Sequence, residues 1–288
     1  LPDGLFPGGA PFNVAYHLHQ HGLDARIVTA VGRDILGEEF LRRIRAWELP
    51  TDTITEHAEF PTGYGRVELS ASGEARYAFA SNTAWDHILI NESAHRAAAN
   101  ARGIVFGSLA LRSPENRTAL DQILAALPAD AWRVFDVNLR PPHDDLPLVN
   151  SLAPRATLIK LNAAEAARLA RGGPETPGNE EADARTLAAR WSENANGTTG
   201  TPKTICITCA ERGAGLLLNG QWFFEVGRPV TVADTVGAGD SFLAALLTAL
   251  LVEGRSPADA LTAAARIGEW VATQRGATPR YAVSDRSR

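Results

Sequence analysis

Ala233-Asp-Thr-Val-Gly-Ala-Gly-Asp-Ser-Phe242, followed by the apolar run Leu243 to Leu251, is the stretch on which the reading of this chain turns. Glycines at 237 and 239, just ahead of a helix, let the backbone curl so that successive N–H groups point at one place. The helix N-terminus adds partial positive charge there. Main chain alone at Gly237, Ala238 and Gly239 therefore builds an anion hole. Asp240 stands in the first turn beside it. Such a carboxylate can simply complement the helix dipole, since short G-x-G-D runs are weak signals. It can also take a proton from an alcohol while the amides stabilise charge on a transferring phosphoryl group.

Outward from this stretch the chain alternates strands and helices. Arg26 to Val31, Gly103 to Gly107, Trp132 to Val137, Thr157 to Leu161 and Lys203 to Thr208 read as strands. Ile35 to Trp47, Pro114 to Leu127 and Ala163 to Ala170 read as helices. That spacing predicts an α/β fold with a mostly parallel sheet covered on both faces. Two hairpins interrupt it. Residues 65–79 alternate polar and apolar around Ser72-Gly73, and residues 215–226 fold back at Asn219-Gly220, a strong turn signal. The segments 171–183 and 192–202 read as soft loops, and Asn196-Gly-Thr198 as an accidental glycosylation sequon.

Composition narrows the function. A net charge of −5 gives nucleic acid or an anionic membrane no electrostatic footprint. No apolar run approaches the roughly 18 residues of a membrane span. Neither lysine, Lys160 nor Lys203, lies in a Walker-type G-x-x-x-x-G-K-[ST] run. Cys206 and Cys209 sit three apart on a strand, which sends them to opposite faces and argues against a redox pair. His17 and His21 share a helix face, but without the glutamate of a zinc motif they read as surface or packing residues.

A second glycine-rich run, Gly8-Gly-Ala-Pro-Phe-Asn-Val-Ala15, combines close backbone approach at Gly8 and Gly9 with a helix start at Pro11. Asn13 offers both a donor and an acceptor there, as a sugar hydroxyl requires. Together with Val31-Gly-Arg-Asp-Ile-Leu-Gly37 this run resembles the N-terminal signature of the ribokinase-like, phosphofructokinase-B type carbohydrate kinases. Asp234-Thr-Val-Gly-Ala-Gly-Asp240-Ser-Phe resembles their C-terminal signature without a gap.

The resemblance implies a three-layer α/β/α ribokinase-like fold over residues 1–288, with a small β lid around 61–82 and a contribution from 1–8. It implies that Asp240 is the base, that Gly237, Ala238 and Gly239 are the anion hole, and that Gly8, Gly9, Asn13 and Arg140 meet the sugar. Asn162 and Glu165 resemble the family's Asn-x-x-Glu element, which organises Mg2+ and phosphates through water. Thr208, Ala210 and Gly213 resemble its nucleotide loop, with alanine where the family usually has glycine. Gly276 and Ala277 resemble the segment near the adenine, and Asp234 and Thr235 part of a K+ site found in some members. The substrates implied are a small sugar and ATP.

Phe135-Asp-Val-Asn-Leu-Arg-Pro-Pro142, Gly107-Ser-Leu-Ala-Leu-Arg112 and Ala84-Trp-Asp86 resemble the fructokinase-like branch. The expected reaction is D-fructose to fructose 6-phosphate, with 2-keto-3-deoxygluconate or ribose as alternatives. A catalytically inactive sugar-binding protein is the alternative of another class. A homodimer through the lid and a cytoplasmic location are further expectations. Methionine is absent, whereas about 2% is ordinary usage. Family members begin with a strand carrying a sugar-gripping aspartate, so the expectation is that this strand precedes Leu1 and that methionines have been dropped from the sequence as written.

Overall fold

The computed structural model describes residues 4–69, 75–192 and 203–281. In chain order the first half gives α1 (Ala10–Gln20), β1 (Thr29–Gly32), α2 (Ile35–Ala46), β2 (Ile54–His57), β3 (Gly65–Leu69), β4 (Ala75–Phe79), α3 (Glu92–Ala99), β5 (Gly103–Gly107) and α4 (Pro114–Ala126). Then come β6 (Trp132–Asp136), α5 (Leu146–Leu152), β7 (Leu158–Asn162), α6 (Ala163–Arg171), α7 (Glu180–Ser192) and β8 (Thr204–Thr208). The chain closes with β9 (Gly213–Leu218), β10 (Gln221–Val226), α8 (Ala238–Leu247) and α9 (Pro257–Ala272).

The main sheet has the order β10-β9-β8-β7-β6-β5. β5 to β8 run parallel, while β9 and β10 extend the edge antiparallel. Its centre is buried on both faces, which is why β7 and β8 carry apolar residues at consecutive positions. Cys206 and Leu216 join α1, α2, α8 and α9 in one core. Ile205, Ile207 and Leu217 point the other way, into a core with α4, α5, α6 and α7. The result is helix, sheet, helix. Cys209 belongs to this second core, so the two cysteines do lie on opposite faces. Burial pushes both thiols up to about 12, leaving no reactive thiolate.

Local chemistry fixes the element ends. Asp34 caps α2 by accepting from the Gly37 amide, and Ser113 caps α4 just before Pro114. Asn219 and Gly220 both take positive φ, as a two-residue turn between β9 and β10 needs. α7 starts inside the stretch expected to be loop through 183. Glu180, Glu181 and Asp183 complement its N-terminal dipole, and Ala184, Leu187 and Trp191 bury one stripe. The apolar run expected to be helix through Leu251 leaves α-geometry after Leu247 and continues as a π-turn over Thr248–Val252.

β1 and β2 form a separate parallel pair, and among the described residues no strand pairs with the outer edge of β5. β3 and β4 pair antiparallel in the expected hairpin. Its Ser72-Gly73 turn, the sequon at 196–198 and the loop from 193 to 202 lie outside the described residues, as do residues 1–3 of the expected lid contribution. No helix of the described residues is long and apolar enough to cross a membrane.

Candidate active site

Of the residues singled out by sequence, Arg140, Asn162 and Thr208 stand at or just past the carboxyl ends of β6, β7 and β8, where sites form in α/β sheets. Gly237 precedes α8 with φ 81, and a Cβ there would lie 2.6 Å from Ala277 Cα. Only glycine fits. Gly239 is tight for a different reason, because its missing Cβ leaves room for Lys160 Nζ at 3.3 Å. The first turn of α8 lies at Asp240, the one ionisable residue of a helix that is otherwise almost wholly apolar.

Asp240 is buried and accepts a 2.8 Å hydrogen bond from Asn13 Nδ2. Burial, reinforced by Asp136, pushes its carboxyl up to about 6, against Lys160, the Asn13 bond and Arg140. Asn13 reaches it because Gly9, with φ 112, turns the chain into α1, which packs on α8. Asn13 Oδ1 is buried without a partner among the described residues, an acceptor available to a ligand hydroxyl. Gly8 and Gly9 lie exposed at that helix start. Arg140 donates to the Leu139 carbonyl from the loop after β6, within electrostatic reach of Asp240. Below it, Arg112 holds Asp86 through two nitrogens at 2.9 and 3.0 Å, joining the two remaining fructokinase-like runs.

Asn162 and Glu165 form a reciprocal capping box at the start of α6. Glu165 Oε2 accepts from the Asn162 amide, and Oε1 accepts from the Leu139 amide at 2.7 Å. Burial moves the Glu165 carboxyl above its ordinary range, opposed by those amides. Among the described residues no three His, Cys, Asp or Glu side chains gather to chelate a metal. With both Glu165 oxygens already engaged, this pair suits an ion that brings its own shell of water and phosphate oxygens, as Mg2+ does.

Asp234 has a structural task. Its Oδ1 accepts from the Val236 amide at 3.0 Å and its Oδ2 from the Gly276 amide at 3.0 Å, which ties the 276–281 segment beside the anion hole. The Thr235 carbonyl accepts from Ala238 N at the start of α8. The same segment is clasped from α1. Buried His17 meets Tyr281 OH through Nδ1 and the Ala277 carbonyl through Nε2, at 2.8 and 2.9 Å. Nε2 must donate to that carbonyl, so the neutral ring carries its proton there and Nδ1 accepts from Tyr281.

Burial lowers the His17 pKa to about 4, with the Ala277 bond opposing and His21 adding to the drop. Unfolded chains bind this proton near pH 6.5 and the native protein only near 4, so native stability falls as pH falls through that window. Urea titrations should show the wild type losing on the order of 1–3 kcal/mol more than His17→Gln between pH 6.5 and 4. Equal losses would remove His17 as the cause.

Thr208 ends β8, and Ala210 follows with φ 52. The left-handed region costs a non-glycine residue about 1–2 kcal/mol, so the family's usual glycine has a backbone reason. Ala210→Gly should raise stability by up to about 1 kcal/mol in chemical denaturation, once the greater freedom of the unfolded glycine is subtracted. A destabilised variant would contradict the strain. Gly213 has φ 114, and a Cβ there would fall 1.9 Å from the Glu225 carbonyl oxygen.

Three site residues escape sequence reasoning. Asp136 stands only inside a longer run and Lys160 only as a lysine outside a Walker-type motif, yet the two are register partners on β6 and β7 and form a buried ion pair at 2.9 Å. A lysine inside Leu158-Ile-Lys-Leu161 was the available signal, because a charge there must find a partner. Tyr281 carries no motif. Its place shows through its contacts with His17, His21 and Trp270.

The chain matches the profile of the pfkB family carbohydrate kinases over residues 4–282. A fructokinase from Klebsiella pneumoniae is 29% identical over 266 residues, covering 88% of this chain and 81% of the relative. A 2-dehydro-3-deoxygluconokinase structure from Thermotoga maritima superposes with a TM-score of 0.81 at 21% identity, covering 97% of this chain and 89% of that one. An uncharacterized sugar kinase from Pyrococcus horikoshii in complex with ATP superposes with a TM-score of 0.78 at 23% identity, covering 95% and 85%. These likenesses show the ribokinase-like fold, and the profile match places both signatures within it. This chain belongs to the pfkB family of carbohydrate kinases.

Proposed function

We propose that this protein phosphorylates a primary hydroxyl of a small sugar with ATP, D-fructose giving fructose 6-phosphate. The observation that carries the reading is buried Asp240 in the first turn of α8, bonded to Asn13 and with its carboxyl pushed up to about 6. Asp240 takes the proton from the sugar hydroxyl as its oxygen attacks the γ-phosphorus, and the bond to the β-phosphate oxygen breaks to release ADP. The Gly237, Ala238 and Gly239 amides face the charge on the transferring group. Gly8, Gly9, Asn13 and Arg140 orient the sugar. Thr208, Ala210, Gly213, Gly276 and Ala277 border the nucleotide, consistent with the ATP held by the Pyrococcus horikoshii sugar kinase. Asn162 and Glu165 would hold Mg2+ through water, and the ion would supply neutralising charge to the phosphates.

D-Fructose is favoured by the fructokinase from Klebsiella pneumoniae and by the 135–142 run. A coupled ADP-release assay over fructose, ribose, 2-keto-3-deoxygluconate and glucose tests it. Fructose should give the highest kcat/KM. A preference of about tenfold, or 1.4 kcal/mol, for the sugar acid or ribose would reassign the substrate within the same chemistry. Fructose binding by calorimetry without ADP release would instead reveal a binding protein.

A further inference from the structure

Lys160 and Asp136 lie side by side on adjacent parallel strands, their side chains 8% and 4% exposed. Taking such a pair out of water costs several kcal/mol per ion, and apolar residues of similar volume often stabilise a fold as well or better. Stability does not explain the pair. Its position does. Lys160 Nζ lies against Gly239, next in the chain to Asp240. Asp136 Oδ2 is buried without a partner among the described residues, so the pair is not closed on itself.

The groups facing Asp240 are few. Asp136 comes from β6, Lys160 from β7, Arg140 from the following loop and Asn13 from α1. His17, further along α1, is committed to Tyr281 and Ala277, while Arg266 and Glu269 of α9 are paired with Glu225 and Arg228. An anion and a cation of opposite effect thus act on the carboxylate.

We infer that the Asp136–Lys160 pair is a positioning device that sets the ionisation of Asp240, Lys160 holding it charged and Asp136 keeping it basic. The inference rests on Asp240 being the base. Without the lysine the carboxylate would hold its proton at neutral pH and could not accept another. Without Asp136 an unbalanced cation would make it a poor proton acceptor. Neither residue needs to touch the sugar or the nucleotide.

The test is the pH dependence of kcat/KM for fructose at saturating ATP, with the whole chain. Lys160→Met should displace the acid limb upward by about 1 pH unit or more, and Asp136→Asn should displace it downward by a similar amount. The double variant replaces a buried ion pair by a neutral one, a change folds tolerate, and its limb should return to within about 0.5 unit of wild type. Unmoved limbs, or single shifts of one sign, would overturn the inference. So would a displaced limb in the double variant, which decides the matter even where a single variant does not fold. Asp240→Asn separates the two levels: full turnover in that variant removes the base assignment itself, and this inference with it.

Discussion

Asp240→Asn should lose on the order of 10²–10⁴ in turnover and yet melt at a higher temperature than the wild type at pH 7.5. The loss follows from removing the proton acceptor while its hydrogen bond with Asn13 persists, since an amide oxygen accepts as a carboxylate does. The gain follows from linkage. The folded carboxyl titrates near 6 and the unfolded one near its ordinary 3.8, so the native state binds the proton first as pH falls. Stability from this group is therefore complete below pH 3.8 and lost as pH rises through 6. At pH 7.5 the buried charge costs on the order of 1–3 kcal/mol, which asparagine recovers. Melting curves of both proteins should differ by several degrees at pH 7.5 and converge by pH 4. An active variant would refute the base. A gap independent of pH would refute the buried-charge account.

Gly237→Ala should damage the start of α8 severely. A β-carbon there would meet Ala277 Cα at 2.6 Å and its carbonyl oxygen at 2.8 Å, and φ 81 is itself unfavourable for alanine. Neither obstacle is a flexible side-chain tip. The 276–281 segment or the first turn of α8 must move, and either movement disperses the amides. Losing one preorganised donor costs on the order of 10²–10³ in kcat, and strain of this kind adds about 1–3 kcal/mol to the cost in stability. ADP release and thermal melting on one preparation should both drop. Gly8→Ala is the control, since a Cβ there meets nothing within 4 Å, and its melting temperature should be unchanged.

The sequence displayed the site's main-chain half well and its charged half poorly. Gly237 and Gly213 announce themselves because backbone demands fall on the residue that meets them. The β9–β10 hairpin was legible for the same reason at Asn219-Gly220. Lys160, Asp136 and His17 are different. Their meaning is set by partners 24 and 264 residues away, and neither periodicity nor spacing reports that distance. Asp234 carries a task that its motif did not announce, because its two oxygens accept from the Val236 and Gly276 amides. Helix α7 was obscured because its acidic start resembles a solvated loop until the buried Trp191 stripe is seen in place.

Of the chain's two lysines, Lys160 is sealed against Asp136, and Lys203 donates to the Pro154 and Ala156 carbonyls at 2.8 Å. Side-chain amines are thus nearly withdrawn from chemistry in solution. Coupling reagents that attach dyes or supports to proteins through lysine would find little purchase here, and carboxyl-directed chemistry is the practical route. That scarcity also makes acylation informative. Modification at 160 requires the strands to part around the pair, so its rate counts openings of the protein's centre, one residue at a time.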